Sequence, residues 1–286
     1  MPTIWELDFY SRPILDEQKK KVWELLVCES PLSSDQPEAG FRYAEFCPSS
    51  QVNSIWLKTA LESAIASAPQ PPDKIRFFRQ AMNNMIMKAC DDLAIPAQLS
   101  RRTFSLNQWL QQRQAEVYPQ QPGFQPGTNP TVSFAETPAQ PLPDALLAQK
   151  WAFVTLEAAA FAEMKDWAID FGEAFPLSLF NLEPQVRIPG LILFSQRALP
   201  LAAWMSGLEL ACLKFEPGTP ARLLLETGVV DRWALASLPT PALQREAQNF
   251  ETAKQQVQGI HFLAVQANPE TEAFAGFWLL QDPNLA

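Results

Sequence analysis

The stretch "TIWELDFYS" (residues 3–11) puts Trp5, Leu7 and Phe9 on one side of an extended chain and Glu6 and Asp8 on the other. Apolar residues at every second position read as a half-buried β-strand, because successive strand side chains point to opposite faces. Next in the chain, "KVWELLVCE" (21–29) and "FRYAEFCP" (41–48) read as two more strands. "NSIWLKTALESAIASA" (53–68) then opens on a cap, Asn53 or Ser54, and repeats Ile55, Leu57, Leu61 and Ile65 at helical spacing. "KIRFFRQ" (74–80) is a short strand, and "AMNNMIMKACDDLAI" (81–95) is a helix stopped before Pro96. "AQLSRRTFS" (97–105) is a fifth strand and "LNQWLQQRQAEVY" (106–118) a closing helix. The order is βββαβαβα, an α/β domain over residues 1–118.

The segment "PQQPGFQPGTNPTVSFAETPAQPLPD" (119–144) holds seven prolines and two glycines. Proline has no N–H to donate, so this composition cannot form a helix or a central strand. It reads as a linker or a surface-hugging tether. Residues 145–286 form a second α/β domain with a mixed sheet. Its strands are "WAFVTLE" (151–157), "GLILFSQ" (190–196), "ELACLKFE" (209–216), "ARLLLETG" (221–228), "DRWALASL" (231–238), "IHFLAVQA" (260–267) and "FAGFWLLQ" (274–281). Its helices are "AAAFAEMKDWAIDF" (158–171), "LPLAAWMSGL" (199–208) and "PALQREAQNFETAKQQVQG" (241–259). The later βββαβ echoes the start of the first domain in element order.

At 286 residues and 47% hydrophobic content the chain can bury one large core or two smaller ones. Neither GxxxxGK[ST] nor GxGxxG occurs, which argues against nucleotide chemistry. His261 is the single histidine, so a multi-histidine metal site is excluded. A lone histidine opening an apolar strand reads as a hydrogen-bonded core or edge residue. Cys28, Cys47, Cys90 and Cys212 form no CxxC and read as reduced core residues. No apolar run reaches the ~18 residues of a membrane span, and the first strand begins at Thr3 without a leader, so the expected location is cytoplasmic.

The net charge is −9, yet residues 74–113 carry seven bases and two acids. From Trp151 onward the balance is 8 basic to 15 acidic residues. An acidic protein with one basic stretch can still bind a polyanion through that stretch. Lys74, Arg76, Arg79, Arg101 and Arg102 fall on two strands that could be neighbours, with Phe77, Phe78, Trp109 and Tyr118 near in sequence to stack unpaired bases. The plainer alternative is two strands with charged outward faces paired to acids elsewhere. The segment "RALPLAAWMSGLEL" (197–210) is likewise either a core helix or a partner surface.

The order βββαβαβα is that of ribonuclease-H-like domains, so a metal nuclease has to be weighed. Such a site needs several carboxylates converging on divalent ions. Asp8 is a candidate, with Glu24, Glu45 and Glu62 as companions, but "KIRFFRQ" offers no acid and carries Arg76 and Arg79 instead. The expectation is an inert scaffold without catalytic residues, metal or cofactor, with Glu6 and Asp8 on a solvated strand face.

"WELDFYSRP" (5–13), "IPGLILFSQRALPLAAWMSGLE" (188–209), "GIHFLAVQ" (259–266) and the terminal "GFWLL" resemble, in order, the signatures of the Tab and Atab proteins of cyanobacteria and chloroplasts. That family comprises RNA-binding translation factors for photosystem I reaction-centre messages. The resemblance implies a cyanobacterial member that binds single-stranded 5′ regions of photosystem messages, with translation or photosystem assembly proteins as further partners. It also implies that Trp278, Leu279 and Leu280, the tripeptide linked in the family to RNA binding, are site residues. A different class of function stays open: a protein-binding assembly factor on an inactive nuclease-like scaffold.

The tripeptide itself reads differently from the residues. In a strand, Phe277 and Leu279 point one way and Trp278 and Leu280 the other. Both faces are large and apolar, and no Lys or Arg follows His261. The expectation is that Leu279 and Leu280 are core and that Trp278 is at most partly exposed.

Overall fold

A computed structural model of the protein describes residues 2–36, 40–127 and 137–282. Part of the 119–144 linker, residues 128–136, and the last four residues of the 145–286 segment lie outside the described residues. Of the described residues, 2–31 and 40–127 make one compact unit, and 32–36 with 137–282 make another.

The first unit runs β1 (Ile4–Leu15), β2 (Lys21–Glu29), β3 (Arg42–Cys47), α1 (Ser54–Ser67), β4 (Lys74–Phe77), α2 (Asn83–Asp91), β5 (Ala97–Leu99) and α3 (Phe104–Glu116). Its sheet order is β3-β2-β1-β4-β5. The first three strands form an antiparallel meander, while β4 lies parallel to β1 and β5 parallel to β4. Parallel neighbours need a crossover, and α1 and α2 supply the two required. Asn53 caps α1, its side chain accepting the Trp56 N–H at 2.9 Å. Trp5, Leu7 and Phe9 pack against Leu57 and Leu61 of α1 and Ile86 and Cys90 of α2.

The other face corrects the sequence expectation. Glu6 and Asp8 are buried, not solvated, and α3 packs on β1 and β2. Glu6 accepts the Leu106 N–H at 2.7 Å in the first turn of α3 and the Ser30 hydroxyl at 2.8 Å. A carboxylate suits that end of a helix, where backbone N–H groups lack partners. β5 is shorter than expected because Ser100 turns the chain: its Oγ accepts the Arg102 N–H at 3.0 Å, and α3 begins at Phe104.

The second unit contains β6 (Gln140–Pro141), β7 (Lys150–Glu157), β8 (Ile169–Glu173), β9 (Arg187–Phe194), α4 (Ala198–Ser206), β10 (Leu210–Glu216), β11 (Arg222–Thr227), β12 (Asp231–Ser237), α5 (Pro241–Gln256), β13 (Ile260–Gln266) and β14 (Phe274–Gln281). A mixed sheet has the order β7-β9-β13-β14-β8, and a second sheet the order β10-β11-β12-β6. Leucines of both sheets, α4 and Phe250 of α5 share one core. Gly190 sits where the Phe262 ring presses on β9: a Cβ there would lie 2.3 Å from ring carbons.

The helix expected over 158–171 is instead a 3₁₀ segment, Ala158–Asp166, followed by β8. Its buried residues, Ala158, Phe161 and Met164, recur every third position, the period of a 3₁₀ helix. Tyr118–Gln120 forms a 3₁₀ turn across the start of the 119–144 span, within which Phe124 bridges to Ile14 and Gln140–Pro141 adds an edge strand beside β12. The echo between units is one of element order only, because β10, β11 and β12 form a sheet that α5 leaves to reach β13 in the other.

Candidate nucleic-acid interface

The buried face of the first sheet is a network of arginines on carboxylates. Arg12 donates from Nη1 to Asp8 Oδ2 at 2.9 Å and from Nε to Glu24 Oε2 at 2.8 Å. Arg79 reaches the same aspartate, Nε to Oδ1 at 2.5 Å and Nη2 to Oδ2 at 3.3 Å. Glu24 also accepts from Arg113 and from the Tyr118 hydroxyl, the latter at 2.6 Å. The Arg79 guanidinium lies 4.1 Å from the Tyr10 ring centroid. Burial alone would raise the Asp8 pKa; Arg79 and then Arg12 outweigh it and hold the carboxyl below its ordinary 3.8.

Of the four carboxylates weighed for a nuclease only Asp8 and Glu24 come together, and they meet on Arg12 rather than on one another. Asp8 and Glu24 are held by arginines, Glu45 accepts the Tyr43 hydroxyl, and Glu62 is exposed on α1 beside Lys58 at 3.7 Å. Among the described residues no group of three or more His, Cys, Asp or Glu could hold a metal ion.

The basic window is not an open patch. Arg76 is 4% exposed, Arg79 5%, Arg101 7% and Arg102 2%; Lys74 is half-buried. Arg76 registers with Glu6 across β1 and β4, on the face that also carries Asp8. The buried acids draw arginines inward, and this corrects the reading of these residues as a solvent-facing surface. Trp109 and Tyr118, expected as stacking rings, are buried beneath the same face.

Trp278, Leu279 and Leu280 are all buried, at 4%, 0% and 0% exposure. Trp278 and Leu280 join the core around Leu263, Ala202 and Met205. Phe277, on the other face, stacks on Phe262 at 5.1 Å and meets Trp167 edge-on at 5.3 Å. Four free cysteines are buried as well.

His261 pairs with Leu280 across β13 and β14. Its Nε2 accepts the Leu213 N–H at 2.8 Å, and Nδ1 faces the Gly259 carbonyl at 2.8 Å, so the ring is neutral with its proton on Nδ1. Burial, then the Lys254 charge, with a smaller push from Lys214, holds its pKa well below 6.5. The folded state therefore binds fewer protons than the unfolded state below pH 6.5, and stability is lost there as the pH is lowered. Urea unfolding should report stability lower by on the order of 1 kcal/mol at pH 5.5 than at pH 7.5 from this residue. His261→Asn should remove that increment; an equal acid loss in the variant would place the sensitivity elsewhere.

Exposed cations of the first unit are elsewhere: Lys19, Lys20 and Lys21 on the β1–β2 hairpin, Arg42 on β3, and Lys88, which pairs with Asp92 at 2.5 Å. Phe46 of β3 is an exposed ring. The run "KKK" was the available signal for the hairpin, but Asp16 and Glu17 beside it cancel most of its charge in any window count.

The fold and its buried face define a class: a two-unit mixed α/β protein whose sheet carboxylates are neutralised by arginine. The family model for "RNA-binding protein Tab2/Atab2 N terminal" matches residues 4–113, and that for the Tab2/Atab2 C-terminal domain matches 129–281. The chain belongs to this family. It is 41% identical, over 97% of its length, to proteins named "Protein TAB2 homolog, chloroplastic" of Zea mays and Arabidopsis thaliana, and covers 71% and 74% of them. Among the described residues no helix is long and apolar enough to cross a membrane.

Proposed function

We propose that this chain is a cytoplasmic RNA-binding factor that supports translation or biogenesis of photosystem subunits, mainly of photosystem I, and that it acts without catalysis. The observation that carries this reading is the match of both halves to one RNA-binding family. The chloroplast location in its relatives' names supports a photosynthetic setting, with a cyanobacterial member as the form proposed here. The strand order β3-β2-β1-β4-β5 supports a ribonuclease-H-like scaffold for the first unit. The arginines on Asp8 and Glu24 support its being inert, because a metal ion would have to displace them.

The test is to isolate native complexes, sequence the bound RNA and identify the bound proteins. Enrichment of photosystem messages, foremost those of photosystem I reaction-centre subunits, is the expected result. Protein partners without RNA would instead make this an assembly factor and overturn the RNA-binding reading.

A further inference from the structure

We infer that single-stranded RNA lies along the open edge of the first unit's sheet, held by the lysines of the β1–β2 hairpin and stacked on Phe46. The inference rests on the RNA-binding reading above and supplies the surface that the buried arginine window cannot.

β3 is the last strand of its sheet and, among the described residues, pairs only with β2. Arg42, Ala44 and Phe46 share one face of it, the face of Cys28, Leu26 and Glu24 across the register, and all three are exposed. Arg42 is propped on the Trp109 indole, its guanidinium carbon 5.4 Å from the ring centroid. Phe46 is 38% exposed, the one aromatic among the exposed large hydrophobic side chains of the described residues. Four strand steps, about 14 Å, separate Arg42 from Phe46. The small Ala44 between them leaves room for a flat base.

The lysines stand at the other end of β3. Asp16 ties their hairpin down. Its side chain accepts the Gln18 and Lys20 N–H groups at 2.9 Å each and the Ser49 hydroxyl at 3.0 Å. Ser49 follows Phe46 by three residues, so the bond fixes the hairpin beside the end of β3. Three cations in a row, a ring and a further arginine along one edge suit an anion that carries flat rings. An acidic peptide would satisfy the lysines and leave the ring unused.

The test uses the full chain and two fluorescein-labelled 20-nucleotide RNAs, oligo(U) and a mixed sequence, titrated by anisotropy from 50 to 300 mM KCl. Replacing Lys19, Lys20 and Lys21 together by Gln should lower the salt slope by about two, at ~0.7 per phosphate contact on a single strand. Phe46→Ala should weaken binding by about 5- to 150-fold at an unchanged slope, the range for one lost base stack. Phe46→Leu keeps apolar bulk and should lose the same affinity, which separates stacking from packing. Lys88→Gln should bind as wild type. If wild type binds and the lysine and Phe46 variants bind equally well, the lysines only keep a sheet edge from pairing; this surface is then wrong and the RNA-binding reading stands. If wild type binds neither RNA, the RNA-binding reading falls. Competition by poly-glutamate with no effect of the Phe46 variants would assign the edge to a protein partner and overturn the inference.

Discussion

Asp8→Ala should cost about 3–5 kcal/mol of stability, because it leaves Arg12 and Arg79 buried without the carboxylate they share. The expected total for such a protein is about 5–15 kcal/mol, so the variant should unfold at clearly lower urea concentration or fail to accumulate. Glu24→Ala should behave alike, since Arg12, Arg113 and Tyr118 all converge on it. The pH dependence has a defined sign. Asp8 has its pKa below 3.8 in the fold, so its contribution is complete above that pH and is lost as pH falls below it. A conserved midpoint in Asp8→Ala would show that the network adds nothing to stability. A magnesium- or manganese-dependent RNA cleavage that vanishes in Asp8→Asn would show that the carboxylate is catalytic, and would remove the inert scaffold with it.

The fold was legible wherever one periodicity dominated. Trp5, Leu7 and Phe9 at period two, and the Leu57–Leu61 spacing at helical period, named β1 and α1 because a single covered face is enough to impose such a pattern. Residues 158–171 were misread because Ala158, Phe161 and Met164 repeat at three, close enough to 3.6 to pass for an α-helix over so short a run. β8 was swallowed by that reading, although "IDFGE" alternates as an edge strand does.

The candidate site was legible in charge but not in depth. Arg79 meets Asp8 across 71 positions, and Arg113 meets Glu24 across 89. No local window holds both partners, so charge counting could not separate an open patch from bases paired to distant acids, and the Arg79 and Arg113 ion pairs match the second. The acids that neutralise it sat in β1 and β2, where their alternation with apolar residues looked like a solvated face. That misreading has one cause: alternation tells two faces apart without telling which is wet, and α3 covers the polar one.

Trp278→Ala, Leu279→Ala and Leu280→Ala should each lose RNA binding only as far as they lose the fold. The indole of Trp278 lies back over its own strand: a Cβ on Gly276 would come within 2.3 Å of it and 2.9 Å from Ala202 of α4. Its other neighbours are core leucines of β13 and β10. Emptying that space should cost about 3–5 kcal/mol for Trp278 and about 2–5 kcal/mol for each leucine. Gly276→Ala is the discriminating variant. It leaves the tripeptide intact but displaces the indole, so it should lower the melting temperature and the RNA-competent fraction together. A tryptophan that touched RNA from the surface would not register the change. Thermal unfolding and RNA affinity measured side by side on the four variants settle the role. If Trp278→Ala keeps its melting temperature and still loses RNA, the side chain is a contact and its burial in β14 is not what the family tripeptide is for.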